Sequence, residues 1–386
     1  MMSLCLNTSN FKIGEETFHL QRFPLTRDNS LQAWDSADEL ILEHWQREEC
    51  ANTCTSVLII NDEFGALSVC VNQSNVDVVT DSFMAKQAIH INTQTNETTT
   101  PNVVDALNIP NKIYSHVLIK LPRSMAYLEH LLIKLQSRIS QQTVIIASAK
   151  VKMVTSNALK IFEKYLGETK TSLAKKKSRL IFVSPDLRKS QQQGKLRQYP
   201  TYLELPELVM PLAQYANVFS KDKLDIGARV LLDAMPTGAK NVVDLGCGNG
   251  VLGVDYLHRN PESNVTFIDE SFMAIASVRH TLHNTSLGER AMFSVGHCFS
   301  EIDATHKGTF DLVLCNPPFH QQNTITDEIA WHMFNEAHQF LCQGGELRVV
   351  ANRHLDYFGK LKRIFGGANI VHTTKKFTVF SCIKRR

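Results

Sequence analysis

Short apolar runs alternate with helical stretches along the C-terminal half of the chain. The first run includes Val242 and Val243, and later ones predict buried strands at 265–268, 293–295, 312–315 and 346–351. Helical periodicity lies between the runs and predicts helices at 224–235, 251–258, 272–284 and 328–341. Strands that alternate with helices favour a doubly wound, mostly parallel α/β sheet. Segments 370–373 and 377–383 predict a terminal antiparallel hairpin, and Gly344–Gly345 a turn before the fifth strand.

The N-terminal half repeats this pattern. It predicts strands at 57–60, 76–81, 117–122 and 144–147, and helices at 31–45, 82–91 and 125–135. The words DSFMA at 81–85 and ESFMA at 270–274 nearly coincide, and each follows a predicted strand. We therefore infer a duplicated α/β unit, that is, two tandem Rossmann-like domains. The alternative is chance similarity between two units of a common type.

The glycine motif DLGCGNG at 244–250 directly follows the first strand of the second copy. Closely spaced glycines let a backbone turn tightly against a ligand, and the amides of the following helix face that ligand. The G-x-G-x-x-G spacing at 248–253, with Asp269 after the next strand, would also fit a dinucleotide site. Asp244 argues against a pyrophosphate, since a carboxylate at the strand end suits a cation better. S-adenosylmethionine has an ammonium, a sulfonium and a ribose, but no phosphate.

A second motif, NPPF at 316–319, directly follows the fourth strand. Two prolines stiffen the loop and remove two backbone donors. The Asn316 side chain and the proline carbonyls then present acceptors to an incoming N–H group. Such acceptors can hold a planar amine with its nitrogen lone pair facing a methyl group, while Phe319 stacks on the ring. With the glycine motif, this arrangement resembles class I S-adenosylmethionine-dependent methyltransferases that act on planar amines.

Basic residues accumulate between the two copies, although the whole chain has a formal net charge of only +3. The segment holds Lys170, Lys175, Lys176, Lys177, Arg179, Arg188, Lys189, Lys195 and Arg197. Clustered cations neutralise phosphates, so Lys175, Lys176, Lys177 and Arg179 are candidate RNA contacts. A solvated charged face is the competing interpretation.

Length and composition set further bounds. The chain has 386 residues, of which 43% are hydrophobic and 20% charged, as is ordinary for a soluble protein of two domains. We place these domains at 1–187 and 199–386, with a linker at 188–198. Nine scattered cysteines, with Cys50 and Cys54 as one isolated pair, favour reduced thiols and no metal site. Without a visible signal peptide or membrane span, we expect a cytoplasmic protein.

Several longer words extend the resemblance over nearly the whole chain. They stand at 20–24 (LQRFP), 61–68 (NDEFGALS), 224–229 (LDIGAR), 316–322 (NPPFHQQ) and 351–358 (ANRHLDYF). These words resemble the ribosomal RNA large subunit methyltransferase G family, which methylates guanine N2 in 23S rRNA. The small-subunit methyltransferase C family is similar and shares the duplicated architecture.

The resemblance implies roles for individual residues. Asp244, Gly246, Cys247 and Gly248 would hold the methionyl part of S-adenosylmethionine, and Asp269 would accept from both ribose hydroxyls. Asn316, Pro317, Pro318 and Phe319 would orient the guanine, with Asn316 also beside the cofactor. His297 stands where related enzymes often have Asn or Asp near the adenine. The first domain would be a degenerate copy without cofactor or chemistry, with an RNA-binding or structural role.

Other functions stay open at this point. A 16S rRNA guanine-N2 methyltransferase is the nearest alternative, and a protein glutamine N5-methyltransferase uses a similar loop but usually has Tyr in the fourth place. An RNA-binding assembly factor that only retains the fold is a third possibility. A dehydrogenase would have no use for the NPPF loop. The expected partner is ribosomal RNA, 23S first, and a monomer is the working hypothesis for the oligomeric state.

Overall fold

The computed structural model describes residues 9–26, 28, 30–48, 50–189, 197–318 and 324–385. It divides into two compact units, residues 1–198 and 199–386. The division falls at the end of the expected linker at 188–198, of which 190–196 lie outside the described residues.

Unit 1 contains a small hairpin and a seven-stranded sheet flanked by helices. Its strands are β1 (Ser9–Ile13), β2 (Glu16–Leu20), β3 (Val57–Ile60), β4 (Val76–Thr80), β5 (Asn102–Asp105), β6 (His116–Lys120), β7 (Val144–Lys150), β8 (Thr169–Thr171) and β9 (Ser178–Val183). Its helices are α1 (Ser36–Arg47), α2 (Cys50–Thr53), α3 (Ala66–Val71), α4 (Phe83–Thr95), α5 (Met125–Leu135) and α6 (Ser156–Tyr165).

Unit 2 has the same plan. Its strands are β10 (Thr201–Leu203), β11 (Leu212–Gln214), β12 (Asn241–Leu245), β13 (Asn264–Asp269), β14 (Ala291–Val295), β15 (Phe310–Cys315), β16 (Leu341–Asn352), β17 (Asn369–Thr373) and β18 (Phe377–Ile383). Its helices are α7 (Ile226–Leu232), α8 (Val251–Arg259), α9 (Phe272–Leu282), α10 (Thr324–Phe340) and α11 (Tyr357–Phe365).

The two large sheets have matching strand orders. Unit 1 runs β5-β4-β3-β6-β7-β9-β8, and unit 2 runs β14-β13-β12-β15-β16-β18-β17. In each sheet five neighbouring strands are parallel, and the last two pairings are antiparallel. The predicted fold class, two tandem α/β units with mostly parallel sheets and a terminal antiparallel hairpin, is confirmed. Unit 1 also ends in antiparallel strands, which were not predicted from the sequence.

The central strands are apolar because helices cover both faces of each sheet. All four residues of β3 are buried, and so are four of the five residues of β12. In unit 2, one apolar cluster includes Val242 and Val265, and a second includes Val243 and Val313. Neighbouring residues of one strand therefore face different cores, as expected for a parallel sheet buried on both sides.

Some predicted boundaries were wrong. The first helix begins at Ser36 rather than at 31, because the Asp35 side chain caps it and Asp38 completes a capping box. Gly344 and Gly345 do not form a turn before the fifth strand but lie within β16, where its register against β15 shifts. The helix predicted at 125–135 is confirmed over its full length.

Two further features concern membrane-spanning helices and disulfide bonds. Among the described residues, no helix has both the length and the apolar character needed to span a membrane. Each cysteine in the described ranges is a free thiol.

Candidate active site

Three neighbouring strands of unit 2 end side by side at the carboxyl edge of the sheet. Leu245 of β12 pairs with Ile268 on one side and with Cys315 on the other. The next residues along the three strands are Gly246, Asp269 and Asn316. Adjacent strands lie about 4.8 Å apart, so these residues share one edge. That edge is also where the strand order reverses, the usual ligand position in open α/β sheets.

The glycine loop is tied to this edge by backbone contacts. The Gly246 amide donates to the Ile268 carbonyl at 2.8 Å, and the Gly248 amide donates to Asp269 Oδ2 at 2.8 Å. Gly248 has φ +53°, and a Cβ atom built on it would meet nothing within 4 Å. The backbone at Gly248 therefore borders open space that a ligand can approach closely. The Cys247 side chain is buried, and burial raises the pKa of its thiol.

Asp244 lies beneath the loop rather than on its surface. Its side chain is buried, with the residue 1% exposed, and its Oδ2 accepts from the Gly253 amide in the first turn of α8 at 2.9 Å. Burial, and secondarily the Asp269 charge, raise the pKa of this carboxyl to about 8. Gly253 has no room for a side chain, since a Cβ would lie 2.3 Å from the Phe267 ring. Asp244 is thus placed to shape the glycine loop from below.

Asp269 ends β13 and retains acceptor capacity. Its Oδ1 accepts from the Ser271 amide at 2.9 Å and its Oδ2 from the Gly248 amide. The Glu270 amide also donates to this carboxylate, so three of its four lone-pair sites are used and one is left for a further donor. Burial raises the pKa of Asp269. Within the described ranges, neither Asp244 nor Asp269 has a cationic side chain as its electrostatic partner, so the edge favours a cationic ligand.

The side-chain amide of Asn316 is hydrogen-bonded through its nitrogen but, among the described residues, not through its oxygen. Its Nδ2 donates to Asp225 Oδ2 at 3.0 Å, whereas its Oδ1 is buried and has no hydrogen-bond partner among the described residues. Pro317 is buried and Pro318 is exposed. Phe319 lies outside the described residues. A buried acceptor without a donor is costly, so Oδ1 is a ready partner for a ligand N–H group.

His297 follows β14 and packs against a second histidine. The His297 and His332 rings stack with centroids 4.6 Å apart and an interplanar angle of 1°. Burial, and then the neighbouring His332, lower the pKa of His297 to about 4, so its imidazole is neutral at physiological pH. Both histidines and Cys298 present possible metal-ligand atoms within 4.8 Å of one another. Imidazole lone pairs lie in the ring plane, however, and two stacked parallel rings cannot direct them at one ion.

The candidate RNA contacts lie in unit 1, in and beside the turn between β8 and β9. The basic segment is thus part of a sheet hairpin as far as Arg179, which corrects its expected position between the two copies. Lys175 pairs with Glu43, and Lys176 pairs with Glu39 at 2.6 Å. Lys177 is exposed, and Arg179 is half-buried. These ion pairs reduce the positive charge that the hairpin presents.

Sequence reasoning missed two residues of the unit 2 site. Asp225 appeared only within the word LDIGAR, and His332 only within a predicted helix. Asp225 lies 91 residues from its partner Asn316, so no local spacing could have indicated the contact. An N-cap signal, Asp followed by a helix, was present at 225 and could have drawn attention to this residue.

Comparisons with known proteins agree with this architecture. Residues 8–187 match the family described as the RLMG N-terminal domain, and residues 210–381 match the family described as the methyltransferase small domain. Two curated relatives, each named ribosomal RNA large subunit methyltransferase G, are similar over almost their whole length. The Psychromonas ingrahamii protein is 41% identical, with 96% of this chain and 98% of the relative aligned. The Aeromonas salmonicida protein is 44% identical, with 95% and 97% aligned.

A solved structure has the same fold over the whole chain. It is the Thermus thermophilus 16S rRNA N2 G1207 methyltransferase in complex with AdoMet and guanosine. The TM-score is 0.76 at 17% sequence identity, with 98% of each chain covered. At this identity, the likeness is evidence for the fold.

Proposed function

The chain belongs to the ribosomal RNA large subunit methyltransferase G family, and from this premise we propose that it methylates the N2 amine of a guanine in 23S rRNA with S-adenosylmethionine. The observation that carries the proposal is the buried Oδ1 of Asn316, which has no hydrogen-bond partner among the described residues and lies beside the glycine loop and the Asp269 carboxylate. One side of the edge suits a cationic cofactor, and the other suits an amine with hydrogens to donate.

The residues present fit the cofactor. Asp269 has one acceptor site left for a ribose hydroxyl, and the open backbone at Gly248 would accommodate the methionyl chain. Asp244 holds the loop in shape through Gly253. Neutral His297, which follows β14, would contact the adenine. When bound, S-adenosylmethionine supplies a methyl group on a positively charged sulfur.

The residues after β15 orient the substrate amine. Guanine N2 has two hydrogens and a lone pair delocalised into the ring. Asn316 Oδ1 and the Pro317 carbonyl accept those hydrogens, which holds the nitrogen so that its lone pair faces the methyl group. The N–C bond forms as the S–C bond breaks, and the methylated amine then loses a proton to solvent. Catalysis on this account comes from positioning and from preorganised dipoles.

The substrate base has to leave its stack to reach this edge. A paired or stacked guanine cannot present N2 to an acceptor at a strand end, so we propose that the base is flipped out or already unpaired. Unit 1, a degenerate copy, contributes RNA contacts through the hairpin that carries Lys175, Lys176, Lys177 and Arg179.

A labelled-methyl assay tests the proposal. The purified full-length chain is incubated with methyl-labelled S-adenosylmethionine and with 23S rRNA, 16S rRNA or the assembled large subunit. We expect label in 23S rRNA, as free RNA or in the subunit, that is sensitive to ribonuclease and resistant to protease. Nucleoside mass spectrometry should identify N2-methylguanosine. Label in 16S rRNA alone would instead assign the small-subunit reaction, and protease-sensitive label would assign a protein substrate.

A further inference from the structure

The N-terminus of α7 meets the strand end that carries Asn316. Asp225 is the N-cap of this helix, and its Oδ2 accepts from the Ala228 amide at 3.0 Å. The same oxygen accepts from Asn316 Nδ2 at 3.0 Å. A carboxylate offers only acceptors, so the Asn316 amide can bond to it only through its nitrogen.

This contact determines which end of the amide is left for a ligand. With Nδ2 directed at Asp225, Oδ1 is the end that lacks a partner among the described residues. In the opposite orientation, Asn316 would present a donor to the guanine amine, which is itself a donor. A donor facing a donor cannot hold the amine, and an asparagine without a fixed partner can adopt either orientation.

We propose that Asp225 is a positioning residue for methyl transfer, because it fixes the orientation of the Asn316 amide that receives the amine hydrogens. This inference rests on the proposed function and deepens it. Asp225 takes no proton and touches neither reacting atom: the S–C bond breaks, the N–C bond forms, and the departing proton goes to solvent. Its part is to keep Oδ1 directed at the substrate before the base arrives.

Unit 1 has a related juxtaposition. Its α1 is also capped by an aspartate, Asp35, and Asp35 Oδ1 lies 3.6 Å from the Nζ of Lys120, the last residue of β6. Lys120 follows Ile119, which pairs with Ile60 as Cys315 pairs with Leu245 in unit 2, so Lys120 and Asn316 occupy equivalent positions. In unit 1 the N-cap carboxylate forms an ion pair with this strand-end residue, whose hydrogen bond goes to Asp38 instead. In unit 2 the N-cap carboxylate itself holds the strand-end residue by a hydrogen bond.

Three variants of the full-length chain test the orientation directly. Asp225→Asn keeps an oxygen where Oδ2 now lies, so it should retain both the helix cap and the contact with Asn316. Asp225→Ser still caps the helix, but its shorter side chain cannot reach Asn316, so the amide loses its fixed partner. Asn316→Asp removes the amide nitrogen that Asp225 binds and places two carboxylates together.

The readout is the single-turnover rate of methyl transfer to 23S rRNA with the cofactor pre-bound at saturation. We expect Asp225→Ser to slow transfer about tenfold, on the scale of a lost hydrogen bond, and Asp225→Asn to stay within about twofold of the wild-type rate. Asn316→Asp should also be slow, because two carboxylates then face each other without a donor between them. The dissociation constant of S-adenosylmethionine should change less than about twofold in Asp225→Ser, since Asp225 orients the acceptor side alone.

Asp303→Ser is the matched control. Asp303 is an exposed aspartate in unit 2 that caps a short 3-10 turn through the Thr305 amide, and its substitution should leave the rate unchanged. An Asp225→Ser variant with the wild-type rate, or an Asp225→Asn variant as slow as Asp225→Ser, would overturn the inference. If the wild-type chain itself methylates no rRNA, the proposed function fails first, so the two failures are distinguishable.

Discussion

Units 1 and 2 share a strand order but differ at the ends of three equivalent strands. After the first strand of the large sheet, each unit has a five-residue loop, 61–65 in unit 1 and 246–250 in unit 2, but the loop of unit 1 has one glycine and that of unit 2 has three. The second strand ends in Thr80 in unit 1 and in Asp269 in unit 2. After the fourth, unit 1 has Lys120 where unit 2 has Asn316.

The two edges also differ in how their polar groups are satisfied. In unit 1, Lys120 pairs with buried Asp38 at 2.5 Å. Asp62 accepts from the Gly65 and Ser68 amides and from the Ser68 hydroxyl. In unit 2, two carboxylates have no cationic partner and one amide oxygen has no donor within the described residues. The strand ends of unit 1 are thus satisfied by protein groups, whereas those of unit 2 keep open acceptors, as the proposed site in unit 2 requires.

The largest expected effect comes from a substitution that breaks the Lys120–Asp38 ion pair of unit 1. Lys120→Met keeps the apolar stem but leaves Asp38 buried without its cation, which should lower the free energy of unfolding of unit 1 by about 3–5 kcal/mol. Urea unfolding is followed by tryptophan fluorescence in a Trp331→Phe background, where Trp34 and Trp45 both report on unit 1.

Adding Asp38→Asn to Lys120→Met is the control, and it should recover part of the loss because no charge is then left unpaired. A destabilisation below about 1 kcal/mol would mean that the Lys120 pair does not close the edge of unit 1.

The next prediction compares cofactor binding after substitutions at the ends of the equivalent strands β13 and β4. Asp269→Ala removes a charged acceptor and should weaken S-adenosylmethionine binding about 10- to 100-fold, whereas Thr80→Ala should leave it unchanged. Calorimetry of the wild-type chain should give one cofactor per chain. Two sites per chain, or equal losses from both substitutions, would contradict the assignment of the cofactor to unit 2 alone.

Stability measured as a function of pH tests the burial of the Asp244 carboxyl in unit 2. The folded-state pKa of Asp244 is raised to about 8, while an unfolded aspartate titrates near 4. A carboxyl with a raised folded pKa stabilises the fold fully below about pH 4, and this contribution disappears as the pH rises through about 8. Without cofactor, the opening free energy of β12 amides, from hydrogen exchange, should fall across this window.

Asp244→Asn should flatten that pH dependence, because its amide does not titrate and still offers an oxygen to the Gly253 amide. If the slope survived this substitution, another group would be responsible for it.

The smallest expected effect concerns RNA affinity. Lys175 and Lys176 already have glutamate partners, so we expect Lys177→Gln with Arg179→Gln to weaken 23S rRNA binding more than Lys175→Gln with Lys176→Gln. Each lost phosphate contact should reduce the slope of log affinity against log salt by up to about 0.9. An unchanged slope in both double variants would remove the hairpin from the RNA interface.

Local patterns predicted most of the fold. Helices with clear caps and apolar faces, such as 125–135, and strands buried on both sides were readable from the sequence. The positions of the two candidate site motifs were also readable, because the glycine motif and NPPF both directly follow apolar strands. The ion pairs of Lys175 and Lys176 with α1 were not readable, since the partners lie more than 130 residues away.

The candidate site was predicted only in outline. Asp244, Asp269 and Asn316 were chosen because strand ends converge, and the structure brings all three to one edge of one sheet. Their contacts could not be predicted: Asp244 lies under the loop, and Asn316 is held by a helix cap far away in sequence. The His297–His332 stack joins a loop to α10, a tertiary contact that has no local signature.

The central claim is that the Asn316 oxygen orients the amine while unit 2 binds the cofactor independently of it. Single-turnover transfer to 23S rRNA, with cofactor pre-bound and saturating, compares the wild-type chain with Asn316→Ala. We expect a rate about 100- to 1,000-fold lower in the variant, with the calorimetric dissociation constant of S-adenosylmethionine unchanged within about twofold. A wild-type rate in Asn316→Ala, or a loss of cofactor affinity as large as the loss of rate, would contradict it.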